Sequence, residues 1–503
     1  MMHRLAHVSM LGGLLLGGCG DSRVDASDPP QITALELNPA STALETGGTQ
    51  QFSAVGRLSD NTTTSVAVTW SATGGTITTG GLYTAGSTAG TYRAIAVEQG
   101  GTRADTSVVT VTVPPPVNGV ADPTLLPLAT GQHPVAGTYG RSLAAGQTYV
   151  DPNTGVTVLK LTSSSVPAAN GGMSHGYSEG GPNISQPWTG TDGQTYYTAK
   201  VDGWLVDVRY GTLTTSNWRR QNSDGEIGFA FSLNPATPRI AYVVSGKRVD
   251  RFNTATNQVE NTGGWPWVIT AAGDYADWLQ TQVNDTWLTL MLNSNHTVVS
   301  FRPSDGLQRV TTEAASGASI DEPHLDREFP VVYLSTNNAP YNKIVNLGTG
   351  TYTSPADPNG INADDHAAPL RGRIVSMSWT ANGAISVDRF GVVSSGPVAS
   401  PVTDWSGDWH MAGQWVFNNP NQYFAVDQWA DTGNYPIYKG MIGLVSTGND
   451  KRLLAAFDGV GTGYGTGGQS HMTLAPDGKF VMWTSNMNGS GRFDVFLARV
   501  PVR

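Results

Sequence analysis

Gln469-Ser-His-Met-Thr-Leu-Ala-Pro-Asp-Gly-Lys-Phe-Val-Met-Trp-Thr-Ser-Asn486 decides the reading of this chain. Pro476-Asp477-Gly478 supplies a tight reversal, since proline presets one turn dihedral and glycine accepts the positive φ that turns demand. The run before it carries His471, and the run after it is β-branched and aromatic as far as Trp483, so the pair predicts a hairpin. Phe493-Asp-Val-Phe-Leu-Ala-Arg-Val500 supplies a third strand and makes the unit a meander.

The unit recurs upstream. Ser185-Gln-Pro-Trp-Thr-Gly-Thr-Asp-Gly-Gln-Thr-Tyr-Tyr-Thr198 lies over Ser470 to Trp483 without a gap and sets Gln186 where His471 stands. Looser copies begin at Phe229, Asp277, Glu322, Asp364 and Asp408. About seven units at roughly 40 to 60 residues each have the spacing of propeller blades. Thr154-Gly-Val-Thr-Val-Leu-Lys-Leu-Thr162 is a strand ahead of the first full unit, and the last unit holds only three. The early strand is therefore expected to complete the last blade and close the ring, which removes both open edges.

Ahead of this region, short alternating runs at Ile32–Pro39, Gln50–Val55, Ser65–Ser71, Thr91–Val97 and Ser107–Val113 predict a β-sandwich with Trp70 in its core. Pro114-Pro-Pro marks a stiff linker, and Leu125 to Gly146 has no clear period and reads as an irregular lead-in. At the start, one early arginine and a short apolar run end at Leu16-Gly17-Gly18-Cys19, too short for a membrane span and typical of an export signal. Cys19 is the only cysteine of the 503 residues, so no disulfide holds the exported chain. The formal charge of −10 is spread out with no basic run, which argues against nucleic acid and anionic membrane surfaces as partners.

Three resemblances follow from these motifs. Leu16-Gly17-Gly18-Cys19 resembles the bacterial lipobox, which implies lipidation of Cys19 and anchoring in the bacterial envelope, at the periplasmic face of the outer membrane or the cell surface. Leu-x-Leu-x-Pro, Gly-x-x-x-Gln-Phe, Val-Thr-Trp, Gly-Leu-Tyr-Thr-Ala and the closing Thr-Val-Thr-Val resemble the group 2 bacterial Ig-like domains. The Pro-Asp-Gly turn with a repeating Ser/His start resembles the TolB-like propellers and, within that architecture, the oligogalacturonate lyases. The expected fold is all-β: signal peptide 1–19, tether 20–30, Ig-like domain 31–113, linker and lead-in 114–150, and a seven-bladed β-propeller 151–503 closed by an N-terminal strand.

Inner strands of a propeller bring residues distant in sequence to one mouth of the central channel. His324, His366, His410 and His471 fall at or near that position, with Gln186 in the same register and His175 shortly before it. Three readings stand side by side. The histidines lock one blade to the next, or they bind a divalent metal such as Mn, Zn or Ca, with Glu322, Asp364, Asp365 and Asp408 beside them. In the third reading they serve catalysis. The lyase resemblance implies β-elimination on an acidic polysaccharide, with Gln186, His324, His366, His410 and His471 as the metal-ligand pool, His175 or Tyr177 as base and Arg327 as carboxylate clamp. The closely spaced Gln and His-x-His group of those lyases is not in this chain. Trp278, Trp405 and Trp409 are candidates for stacking on sugar rings. The alternative function is a non-catalytic propeller that binds a glycan or an envelope protein from an Ig stalk. No nucleophile elbow, phosphate-binding loop or dinucleotide fingerprint occurs, so serine-hydrolase, kinase and redox functions drop out.

Overall fold

A computed structural model describes residues 29–86, 88–112, 119–128, 140–167, 183–222, 228–274, 276–336, 343–353, 367–369, 374–378, 384–388, 400–406, 411–412, 423–427, 441–446, 450–456, 472–486 and 492–503. Helix among them amounts to a 3-10 turn at Pro123–Leu125 and the four residues Glu313–Ser316. Everything else that is regular is strand.

Three small sheets occupy residues 32–112. Ser41–Glu45 runs parallel to the end of Ala104–Thr112, while the other pairings in this unit are antiparallel. Phe52, Tyr83, Ala94 and Val109 fill the interior, with Trp70 packed against them. The Tyr83 hydroxyl is satisfied there, donating to the Gly74 carbonyl at 2.7 Å.

Seven further antiparallel sheets follow among the described residues. In chain order they span 188–220, 229–268, 276–311, 320–353, 367–406, 411–456 and, for the seventh, the strands Thr473–Leu474, Phe480–Ser485 and Asp494–Arg499. The seventh is completed from the N-terminal side. Thr157–Lys160 pairs with its last strand, Val158 opposite Ala498 and Lys160 opposite Phe496, and Thr148–Val150 adds one strand more.

The core explains why the sheets form a ring. Strands such as Val331–Thr336, Phe480–Ser485 and Asp494–Arg499 are buried at every residue, as strands covered on both faces must be. Apolar layers lie between consecutive sheets, as where Leu205 of the first meets Phe229, Phe231 and Phe252 of the second. Leu159, Val495 and Leu497 of the seventh sheet share a layer with Tyr197, Val206 and Val208 of the first. First and last sheets are thus neighbours, and the architecture is a β-propeller.

The opening hairpin forms around Gly478, whose φ of +74° suits glycine, with its N–H donating to the Ala475 carbonyl at 2.8 Å. The gapless match to Ser185–Thr198 breaks at this turn. Trp188 pairs with Tyr196 and Thr473 with Met482, so the first sheet's turn is one residue shorter.

Asp477 also reaches the next sheet, accepting a hydrogen bond from the Tyr197 hydroxyl. The phenol of Tyr242 donates to Asp285 of the third sheet at 2.9 Å, and Tyr333 donates to Asp326 in its own sheet. Burial holds the phenols of Tyr197, Tyr242 and Tyr333 above their ordinary range. Burial likewise raises the carboxyls of Asp477 and Asp285, against the downward pull of the hydrogen bonds they accept.

The lead-in is a strap. Val120 and Arg503 exchange both backbone hydrogen bonds, Asp122 N–H donates to Pro501 O, and Ala121 bridges Val502. Farther on, Arg452 Nη1 donates to the carbonyls of Thr124 and Leu126, each at 3.0 Å, and Leu453 N–H donates to Pro127 O. Residues 119–128 thereby join the chain end after the seventh sheet to the outer strand of the sixth.

Two outcomes follow. A chain starting at Gly119 should melt like the whole propeller, whereas one starting at Gly146 should lose about 3 kcal/mol or more, because it forfeits a series of bonds worth about 1 kcal/mol each; calorimetry of the two truncations checks this. The second concerns pH. A carboxyl whose folded pKa is raised holds a proton that the unfolded chain releases near pH 3.9, so Asp477 makes stability fall as pH rises from there through its folded pKa. Asp477→Asn should flatten that decline, and Tyr197→Phe, which removes a bond to the carboxylate, should steepen it and cost about 1.5–3 kcal/mol at neutral pH, as read from urea midpoints across the pH range.

Candidate functional site

The rim where the inner strands begin is built from the described segments around Asn183–Gln186, Lys200, Phe229, Ala276–Trp278 and Ile320–His324. Two bulges shape it. The ladder of Ala276–Thr281 shifts register between Asp277 and Gln280, where Trp278 adopts a φ of +55°, and Ile320–Leu325 shifts between Ile320 and Glu322. A bulky side chain at positive φ is strained, and a bulge is the usual device for re-aiming a side chain at a site. Trp278 lies against the cluster that contains Trp287 and Met291.

The charged groups at this rim are buried or half-buried. Lys200 is 6% exposed, with its ammonium 5.4 Å from the centre of the Phe229 ring. Burial raises the Asp277 carboxyl, while the Trp278 N–H that it accepts and the positive charge of Lys200 pull it back down. His324 is fully buried; its Nε2 lies 3.1 Å from Ser335 Oγ and 3.6 Å from Glu322 Oε2. A cation, three carboxylates (Asp277, Asp321 and Glu322) and an imidazole are thus distributed over three sheets. Among the described residues, no three His, Cys, Asp or Glu side chains gather closely enough to hold a metal ion.

Gln186, named above as a metal ligand, donates from Nε2 to the Leu233 carbonyl of the second sheet at 3.3 Å. Arg327, named as a carboxylate clamp, is directed to the third sheet, where Nη1 donates to Thr281 O at 2.8 Å. Its burial lowers the guanidinium pKa to about 10. Cross-strand partners also refine the histidine register. His324 stands opposite Tyr333 and Thr473 opposite Met482, each the third residue of its second strand. His175, Tyr177, His366, His410, His471, Trp409 and Cys19 lie outside the described residues. Trp405 falls in the strand Ser400–Ser406, on the outer side of its sheet.

Two residues that sequence reasoning passed over have a clear part here. Gln280 donates from Nε2 to Pro323 O at 2.6 Å and accepts from Leu325 N–H at 2.8 Å, so its carboxamide pairs with the next inner strand as a peptide group would. Gln282 donates to the carbonyls of Asp326 and Phe329 at 2.8 and 2.6 Å. The available signal was the alternation Gln280-Thr-Gln282, two amides on one face of a strand otherwise expected to be apolar.

No protein-family model matches the chain, and no curated protein matches its sequence. Among solved structures it is similar to the β-propeller domain of Cps50 (Swd1) from Myceliophteria thermophila, with 11% identity and a TM-score of 0.37 over 63% of this chain and 96% of that one. For virginiamycin B lyase from Staphylococcus aureus the identity is 8% and the TM-score 0.39, over 63% and 95%. For Kluyveromyces lactis Hsv2 they are 13% and 0.36, over 51% and 70%. The propeller architecture accordingly stands on strand pairing and on the layers between sheets.

Gln280→Leu should destabilise the protein by about 2 kcal/mol or more, because it leaves a buried N–H and a buried carbonyl without their partner. Chemical denaturation checks it, with Gln308→Leu on an outer strand as a near-neutral control.

Proposed function

We propose that this protein is an exported, non-catalytic binding module: a seven-bladed propeller that captures an acidic polysaccharide or related glycan at its inner-strand rim. An Ig-like domain over 31–113 carries it, and Cys19 tethers it by lipid to the bacterial envelope. The observation behind this reading is that Gln186, Gln280 and Arg327 spend their polar atoms on the neighbouring sheet. A metal-assisted elimination needs lone pairs free for the cation and N–H donors free for the uronate carboxylate. The described members of the proposed ligand pool are Gln186, 2% exposed and held by Leu233 O, and His324, fully buried beside Ser335, so neither side chain is presented to an entering cation. What supports a glycan ligand is the half-buried Trp278 ring at the bulge of the third sheet, on a rim whose cation is Lys200.

The parallel pairing of Ser41–Glu45 with Ala104–Thr112 and the placing of Trp70 beside the core favour the Ig-like reading of the N-terminal sheets. Seven sheets among the described residues, with the last completed by Thr157–Lys160, favour seven blades.

The purified protein should bind immobilised pectate or alginate saturably, more weakly as salt is added, and without the absorbance of an unsaturated uronide appearing. His366→Ala and His410→Ala should leave affinity within about threefold, a change of less than 1 kcal/mol. Appearance of the unsaturated product, lost in those variants, would replace this reading with the metal-assisted lyase.

A further inference from the structure

We propose a second binding site, for a neutral oligosaccharide, in the cleft between the N-terminal sheets and the propeller. It encloses about 650 Å³, within the roughly 300–1,000 Å³ usual for small-molecule sites. One wall comes from Thr42, Gln50 and Thr112, the other from Thr148, Tyr149 and Thr212. Both walls are sheet borders: Ser41–Glu45 ends one N-terminal sheet, and Thr148–Val150 ends the seventh sheet of the propeller. At one end the two bodies touch. A Cβ on Gly47, whose φ is +81°, would stand 3.2 Å from the Thr212 methyl, so only glycine allows this approach without strain.

The lining selects the chemistry. No charged side chain lines the cleft among the described residues, which disfavours a uronate, a phosphate or a sulfated sugar, since each would lose hydration without gaining an opposite charge. Hydroxyls and an amide make it a poor host for a lipid chain. Thr212 Oγ1 shares a hydrogen bond with Thr214 Oγ1 at 2.8 Å, and Thr42 Oγ1 donates to Gln50 Oε1 at 3.2 Å, so each threonine keeps lone pairs for a ligand hydroxyl. Between these lie Leu143 and Val150, half-buried and exposed, apolar surface suited to the C–H faces of a pyranose. A neutral sugar fits the mixture of hydroxyl, amide and apolar surface without charge.

The test is calorimetric titration of the full chain with neutral cello-, malto-, manno- and chito-oligosaccharides, which carry no charge for the rim's cation to attract. At least one series should bind, and Thr112→Arg or Thr212→Arg, each placing a long cation in the cleft, should weaken it at least tenfold with an unchanged melting temperature. Trp278→Ala, at the rim, should leave it unaltered, which separates this site from the rim. Absence of binding by every neutral series at millimolar concentration, or equal binding by both arginine variants, would overturn the proposal, as would competition by an extended peptide alone. If one arginine variant fails to fold, the other carries the comparison.

Discussion

The structure depends on the pairing of Thr157–Lys160 with Asp494–Arg499, which makes neighbours of two segments more than three hundred residues apart. The apolar layer shared by Leu159, Leu497 and Tyr197 exists only when that pairing is made, and the same holds for the buried group of Lys160, Asp494 and Thr162. Lys160 Nζ lies 3.1 Å from Asp494 Oδ2, and Thr162 Oγ1 donates to Asp494 Oδ1 at 2.9 Å. A buried carboxylate without these partners would be costly, so a slipped register is penalised electrostatically as well as by exposure of apolar side chains. Loop-closure entropy opposes the contact, and the strap at 119–128 offsets part of it by holding the chain close to the last two sheets.

With closure set, every interface between sheets faces the same difficulty. Inner strands are short and converge, so apolar packing alone leaves backbone groups of one strand facing those of the next. Side-chain amides and hydroxyls fill that gap: Gln280 and Gln282 reach forward to the fourth sheet, while Thr281 Oγ1 donates back to Phe231 O at 2.8 Å. The Asp285 carboxylate accepts from Ser232, the Leu233 N–H and Tyr242, which ties the turn of one sheet to the strand ends of another. Such groups are satisfied in pairs or networks, and burial then strengthens each bond.

This explains what the sequence disclosed. Thr154–Thr162 was legible as a closing strand because β-branched residues alternate there beyond any complete meander, and Pro476-Asp477-Gly478 was legible because its turn chemistry is local. The one-residue difference between the two best-matched turns was hidden, since Gly190-Thr-Asp-Gly193 and Ala475-Pro-Asp-Gly478 look alike while their strands pair in different register. The strap was hidden for another reason. Its bonds run from backbone carbonyls to Arg452, a residue more than three hundred positions away, and backbone acceptors leave no mark in composition or period.

The rim was the least legible part, for a physical reason that bears on function. A polar residue on an inner strand looks the same in sequence whether it faces the channel or braces the neighbouring sheet. Gln186 and Arg327 are braces, engaged with Leu233 and Thr281. Lys200 sits beside the Phe229 ring, in reach of the charge on Asp277, where a bulge interrupts the ladder at Trp278. Departure from regular pairing, rather than residue type, is what separates a site from a scaffold here, because regularity already accounts for the amides that bind one sheet to the next.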